Sequence, residues 1–325
     1  MTNIETVRGP IPVEDIGITL PHEHIFTKNQ ELELSYPHPE WDEEATTQNA
    51  IDELNALSAK GINTIVDLTV PGLGRFIPRI QKVAAAVDIN IVVATGFYTF
   101  KDLPTFFQTT GPGRMVERDE PLEEYFIRDI TVGIGDTGVK AAMIKVATDE
   151  FGITTDVERV MRSAAIAHLE TGATITTHTH VAHYTGRDQQ TFFRANGVAL
   201  ENVVIGHCGD STDIAYLREL MDNGSTLGLD RFGMEQVLHD DLRVETLLEL
   251  IDLGYAGQLT LSHDAGFFSI NTPPSWRTRN APNWNHANIS DRILPKIRER
   301  GVSDETIHQI MVTNPARILA GRRSE

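Results

Sequence analysis

The sequence holds a single cysteine, Cys208, so no disulfide can form within the chain, which fits a reducing compartment. It has no excess of positive charge: 28 Lys and Arg stand against 46 Asp and Glu, a formal net charge of -18. Such a surface repels phosphate backbones and anionic headgroups, which argues against nucleic acid and membrane partners. No stretch approaches the ~20 apolar residues of a membrane span. The N-terminal Met-Thr-Asn-Ile-Glu-Thr-Val-Arg lacks the basic segment and apolar run of a secretory signal, so a cytoplasmic location is expected. Low-complexity tracts and internal repeats are missing, and the charged residues are spread along the chain, which excludes extended disorder. Also absent is a glycine-rich phosphate loop after the first strand, which weighs against an open dinucleotide-binding sheet.

What is present is core material: 40% of the 325 residues are hydrophobic, enough for one domain spanning 1–325. Short β-branched runs recur at 18–20, 62–68, 89–94, 139–146, 173–177, 203–205, 225–229 and 258–261. Most are continuous rather than alternating, as in parallel strands covered on both faces. Between them, segments such as 43–60, 156–170, 213–223 and 242–253 return an apolar residue every three or four positions, the mark of a helix with one buried face. Eight strand–helix units predict an α/β protein of the (β/α)8 barrel class, with its active site at the C-terminal ends of the strands. The segments 97–120 and 265–288 break the alternation and fall where such a barrel keeps its active-site loops.

Polar residues stand at the strand ends. His22 and His24 are two apart at the end of the first strand, so both imidazoles can face one way, either as metal ligands or as a hydrogen-bonded structural pair. Lys145, His178, His207 and Asp264 end four further apolar runs. Each alone reads as a satisfied core residue, and Lys145 as half of an ion pair. Five strand ends converging on one barrel mouth instead suit a divalent metal centre, since buried charges need partners.

The run Gly17-Ile-Thr-Leu-Pro-His22-Glu-His24 resembles the Gly-x-Thr-Leu-x-His-Glu-His signature of the phosphotriesterase family in the amidohydrolase superfamily, and the likeness continues in order through Lys145, His178, His207 and Asp264. It implies a binuclear site for two divalent cations (zinc, cobalt, iron or manganese). His22, His24 and Asp264 would hold the buried cation, His178 and His207 the more exposed one, and a carboxylated Lys145 would bridge them. It also implies a homodimer. Within the family, Gly228-Leu-Asp-Arg231-Phe-Gly233 and Tyr98 resemble the lactonase branch. The expected substrates are N-acyl-homoserine lactones, with phosphotriesters as a side activity. The alternatives are simple or oxo γ- and δ-lactones, a dedicated organophosphate hydrolase, or a catalytically silent metal-binding scaffold.

In this reading Asp264 moves the proton of the attacking water, while Tyr98 and Arg231 face substrate. The blander readings are that Arg231 only pairs with a loop carboxylate and that Tyr98 is a packed aromatic. The 265–288 segment carries Phe267, Phe268, Trp276 and Trp284, and part of it, Phe268 and Trp276 foremost, is expected to line an acyl channel, or else to pack on the rim or at a subunit contact. Strand alternation turns Cys208, His263 and Glu23 away from the metals, with Glu23 facing outward to a loop or helix. His180 and His183 are read as bystanders, and Asp67 and Asp230 as groups that orient ligands or Arg231.

Overall fold

The eight apolar runs form eight parallel strands: β1 (Ile18–Glu23), β2 (Ile62–Asp67), β3 (Asn90–Gly96), β4 (Met143–Ala147), β5 (Thr174–His178), β6 (Val203–Ile205), β7 (Thr226–Leu229) and β8 (Leu259–Leu261). The structure is a computed structural model and describes residues 2–321. Each strand pairs with the next in chain order, from β1 through to β8. The ring is completed just beyond the ladders. Asp264 N donates to His22 O (3.1 Å), His24 N to Ala265 O (2.8 Å), and His22 N to Ser262 Oγ (3.0 Å). This is the expected (β/α)8 barrel.

Helices α1 (Glu43–Ala59), α2 (Ile77–Ala84), α3 (Pro121–Thr131), α4 (Thr155–Thr171), α5 (Thr185–Ala195), α6 (Ile214–Asp222), α7 (Asp240–Asp252) and α8 (Leu294–Glu299) surround the strands. Several begin where a side chain takes up a free helix N–H: Asp42 accepts from Ala45 N, Thr154 from Val157 N and Asp213 from Tyr216 N. The larger apolar cluster fills the shell between strands and helices. A smaller one fills the barrel itself, where Val66, Val92, Met143 and Val204 meet Ile4, Ile16, Ile318 and Leu319 at the end opposite the mouth.

Along β4 this division is residue by residue. Ile144 and Val146 pack outward, Met143 packs inside, and Lys145, two on from Met143, lines the interior cavity at the mouth. Two features depart from expectation. The run at 139–146 becomes strand only from Met143. An N-terminal hairpin of Asn3–Thr6 with Gly9–Pro12 is added beneath the barrel; its second arm, Gly-Pro-Ile-Pro, carries two prolines and gives no strand signal.

Candidate metal centre

β1 delivers its histidines through an irregularity. Leu20 packs in the outer shell while His22 lines the interior cavity, although strict alternation would put both on one face. The pairing of β1 with β2 shifts register between Leu20 and Glu23, and this shift turns His22 inward. Lys145 and His178 come from within β4 and at the end of β5. His207 and Asp264 lie just past β6 and β8 in left-handed backbone, at φ 61° and 54°. Non-glycine residues seldom adopt that conformation, and its cost of about 1–3 kcal/mol is characteristic of functional positions. Gly96 on β3 (φ 124°) lets its neighbour come close, because a Cβ there would sit 1.9 Å from the Lys145 carbonyl oxygen.

Carboxylates behind the rings set their orientation. Asp230 Oδ2 accepts from His22 Nδ1 (2.6 Å), and its Oδ1 accepts from His207 Nδ1 (2.8 Å) and His207 N (2.9 Å). Asp149 accepts from His178 Nε2 at 2.7 Å. The remaining ring nitrogens therefore carry lone pairs and point inward. His207 Nε2 lies 2.8 Å from His178 Nδ1, and His22 Nε2 lies 3.0 Å from Lys145 Nζ. Asp264 Oδ1 stands 3.1 Å from His24 Nε2 and 3.6 Å from His22 Nε2. Two facing imidazole lone pairs repel unless a cation lies between them, so this donor set fits divalent metal.

Among the described residues, two groups have ligand atoms all within 4.8 Å of one another: His22, His24 and Asp264, and His22, His207 and Asp230. The second is joined by the Nδ1 bonds just described, and Asp230 acts there as the acceptor that fixes both rings.

The electrostatics agree with the chemistry of ligation. Burial lowers the His178 imidazole to about 4 and holds His207 well below its ordinary value, so both rings are neutral near pH 7. Burial alone would raise the Asp264 carboxyl, but His207, His24, His22 and Arg231 around it hold it well below the usual range. Burial also lowers Lys145 to about 8, which leaves a fraction of free amine, the form that adds CO2.

These residues line a cavity of about 200 Å3 together with Tyr98 and Arg231, and Leu73, Met234 and Trp284 form its apolar wall. The Tyr98 hydroxyl lies 3.2 Å from His178 Nδ1, and burial pushes its phenol well above the usual range, so it keeps its proton. Arg231 does pair with carboxylates: its Nε donates to Asp264 Oδ2 (3.0 Å) and a terminal nitrogen to Asp210 Oδ2 (2.9 Å). Asp210 is held in turn by the fully buried Arg243 at 2.7 Å. Burial works against the Arg231 charge, but Asp264 and Asp210 more than offset it.

Phe268 and Trp276 require correction. Phe268 is fully buried, pairs in a two-residue strand with Phe26 and meets Trp41 edge-on at 4.8 Å, so it packs behind the cavity. Trp276 sits on the short helix Pro274–Asn280 and does not line the metal cavity. The aromatic of the 265–288 segment that does is Trp284, fixed by its Nε1 donating to His263 O at 2.8 Å.

Glu23 does not line the cavity and pairs with the loop after β8. It is fully buried, with Oε1 accepting from His263 Nδ1 (2.7 Å) and N (3.0 Å) and Oε2 accepting from Ala265 N (3.1 Å). His263 turns away from the cavity as expected and accepts from Ile289 N at 3.0 Å. Cys208 is buried, and burial pushes its thiol well up, which leaves it unreactive. His180 and His183 stack on each other at 4.3 Å. Asp67 stands 3.9 Å from His24 Nδ1, which itself lies 2.8 Å from Thr69 Oγ1. Asp149 escaped the sequence reading because it stands two residues beyond β4; its one signal is a carboxylate just past a strand end.

Comparison with known proteins matches residues 2–319 to the family model described as the phosphotriesterase family. A phosphotriesterase homology protein of Mycobacterium tuberculosis is 47% identical over 98% of both chains. A solved structure of the phosphotriesterase from that organism superposes with a TM-score of 0.95 at 47% identity, covering 98% of each chain. The aryldialkylphosphatase of Saccharolobus solfataricus is 38% identical over 96% of this chain and 98% of its own. A phospho-furanose lactonase of Mycoplasmopsis synoviae is 28% identical over 97% and 91%.

Proposed function

The chain belongs to the phosphotriesterase family of hydrolases, and from that premise we propose that it is a lactonase opening the ring ester of N-acyl-homoserine lactones, with phosphotriesters as slower substrates. His22, His24 and Asp264 would hold one divalent cation, His178 and His207 a second, and Lys145 would bridge them as its carbamate. When bound, such cations polarise a carbonyl or phosphoryl oxygen and make water acidic enough to attack near neutral pH.

The chain's own groups do the rest. Asp264, ionised and oriented by Arg231, accepts the proton of the attacking water and passes it to the departing ring oxygen. The Tyr98 hydroxyl, protonated and at the cavity edge, donates to the carbonyl oxygen as it gains negative charge. Leu73, Met234 and Trp284 offer the acyl portion an apolar wall and displace water from it. The Tyr98 hydroxyl is the observation that carries the lactone reading, because a fixed O–H donor serves an oxyanion developing on carbon. The 28% identical lactonase supports the same direction, and the 38% identical aryldialkylphosphatase favours the phosphotriester side activity.

The test is a panel assay of metal-reconstituted protein on acyl-homoserine lactones of graded length, simple γ- and δ-lactones and one phosphotriester. The lactones should give the highest kcat/KM, and Tyr98→Phe should lower their turnover by roughly 1–3 kcal/mol of transition-state stabilisation. A phosphotriester hydrolysed with higher kcat/KM than every lactone would make the protein an organophosphate hydrolase instead.

A further inference from the structure

A second cavity, of about 450 Å3, adjoins the metal cavity, and Gly266 and Trp284 line both. Arg277, on the short helix Pro274–Asn280, lines it too. Among the described residues the Arg277 guanidinium makes no hydrogen bond and no ion pair, and its Nε is buried without a partner. Its Cζ lies 5.9 Å from the centroid of the Trp284 ring. Burial lowers its pKa from the ordinary value, with only Glu53 acting in the opposite sense. Arg277 as a whole is half-buried, but a desolvated guanidinium N–H without an acceptor is unfavourable, and the buried arginines of this chain are not left so: Arg243 has Asp210 and Asp240, and Arg79 has Glu33 and Glu43.

The carboxylates around this cavity are already engaged. Glu40 accepts from Ser275 N and Oγ, Asp42 from Ala45 N, and Glu53 from Asn49 Nδ2. They leave Arg277 free and also restrict what it can take. A phosphate dianion would meet three negative charges, whereas a monoanionic carboxylate matches the planar guanidinium fork with less repulsion. Phe267, Pro274, Ala281 and Pro282 supply apolar wall for an aliphatic stem.

We propose that this cavity is an anion subsite in which Arg277 receives the carboxylate of an aliphatic acid, continuing the metal cavity past Trp284. Esters and lactones whose side chain ends in a carboxylate are then favoured over neutral ones of equal length. The anion subsite stands on its own observations; only the identity of the ester that is cleaved rests on the lactonase reading.

The test begins with binding. Metal-loaded protein is titrated calorimetrically with octanoate and with octanamide, alongside Arg277→Gln and Arg277→Lys. Octanoate should bind at least tenfold more tightly than octanamide, Arg277→Gln should abolish the difference, and Arg277→Lys should retain part of it. Octanoate held equally by the parent protein and Arg277→Gln would place it elsewhere and overturn the subsite.

Kinetics then compare γ-lactones with side chains ending in carboxylate or methyl. A kcat/KM ratio of ten or more that collapses in Arg277→Gln supports a continuous site, and a ratio near one in the parent protein overturns that continuity. If no lactone is turned over while octanoate still depends on Arg277, the lactonase reading fails and the subsite stands.

Discussion

Asp230 shows how one side chain can govern a site it does not face. Its two oxygens take the Nδ1 hydrogens of His22 and His207, and a third bond comes from His207 N. Both Nε2 lone pairs are thereby aimed into the cavity where the cations are proposed to sit. In Asp230→Asn one of the two acceptor oxygens becomes an NH2 donor that faces an imidazole N–H, so one ring must turn or lose its bond. Metal affinity is expected to fall by about 10–100-fold, as for other groups that orient metal-bound histidines. Competition against a chelator would measure the loss, with far-UV circular dichroism as the check on the fold. An unchanged affinity would mean that the barrel walls alone orient the rings. At this scale the sequence already named the residues that face one another, His22, His24, Lys145, His178, His207 and Asp264, because each ends an apolar run. It did not reveal Asp149 behind His178, and it offered Trp284 only as one of four aromatics in the 265–288 segment without telling which reaches the cavity, since both lie in segments without periodicity and reach the site only through the path of their loops.

At the scale of elements, the first turn of α4 anchors the loop that carries Tyr98. Thr154 Oγ1 accepts from Val157 N as a helix cap and donates to Lys101 O at 2.6 Å, while Asp156 Oδ2 accepts from Leu103 N at 2.8 Å. Thr154→Ala removes the cap and one tie at once. It should cost about 1 kcal/mol of stability by denaturant unfolding, and it should raise KM or lower kcat through a looser Tyr98. A variant that loses stability but keeps its kinetics unaltered would show that the Asp156 tie suffices. The strands were legible because runs this short, continuous and rich in β-branched residues suit strands covered on both faces better than buried helices, which run longer. The register shift in β1 was not: Pro21 marks an irregular strand but does not say how far or which way the register slips, and the shift is settled by pairing with β2. Phe268 was misread for the same reason, because an aromatic in a loop announces that it must be covered, not which surface covers it.

Over the whole molecule, buried neutral histidines couple the fold to pH. His168 on α4 is buried, with Nδ1 2.8 Å from Ala173 O, and burial lowers its pKa from 6.5 although that bond opposes the shift. In the unfolded chain it takes up a proton at higher pH than in the folded one. Its contribution to stability is therefore fully present above about pH 6.5 and is lost as the pH falls towards the folded value. Thermal unfolding should thus move to lower temperature on going from pH 7.5 to pH 5. The drop should be smaller in His168→Gln, whose amide can still donate to Ala173 O. Any metal at the proposed centre would be lost alike from both proteins on acidification, so their difference isolates His168, and identical pH profiles would remove it as a contributor.

The amino-acid sequence by itself determined the eight strands, the helices between them and the order of the ligand residues, because these depend on local periodicity and on which side chains end an apolar run. Only the tertiary structure decided which carboxylates orient the rings, that Arg231 ties Asp264 to Asp210, that Trp284 rather than Phe268 walls the cavity, and that β8 meets β1 through His22, Ser262 and Ala265. Those contacts join residues 240 positions apart and more, where local periodicity carries no signal and the closure of the barrel sets the distances.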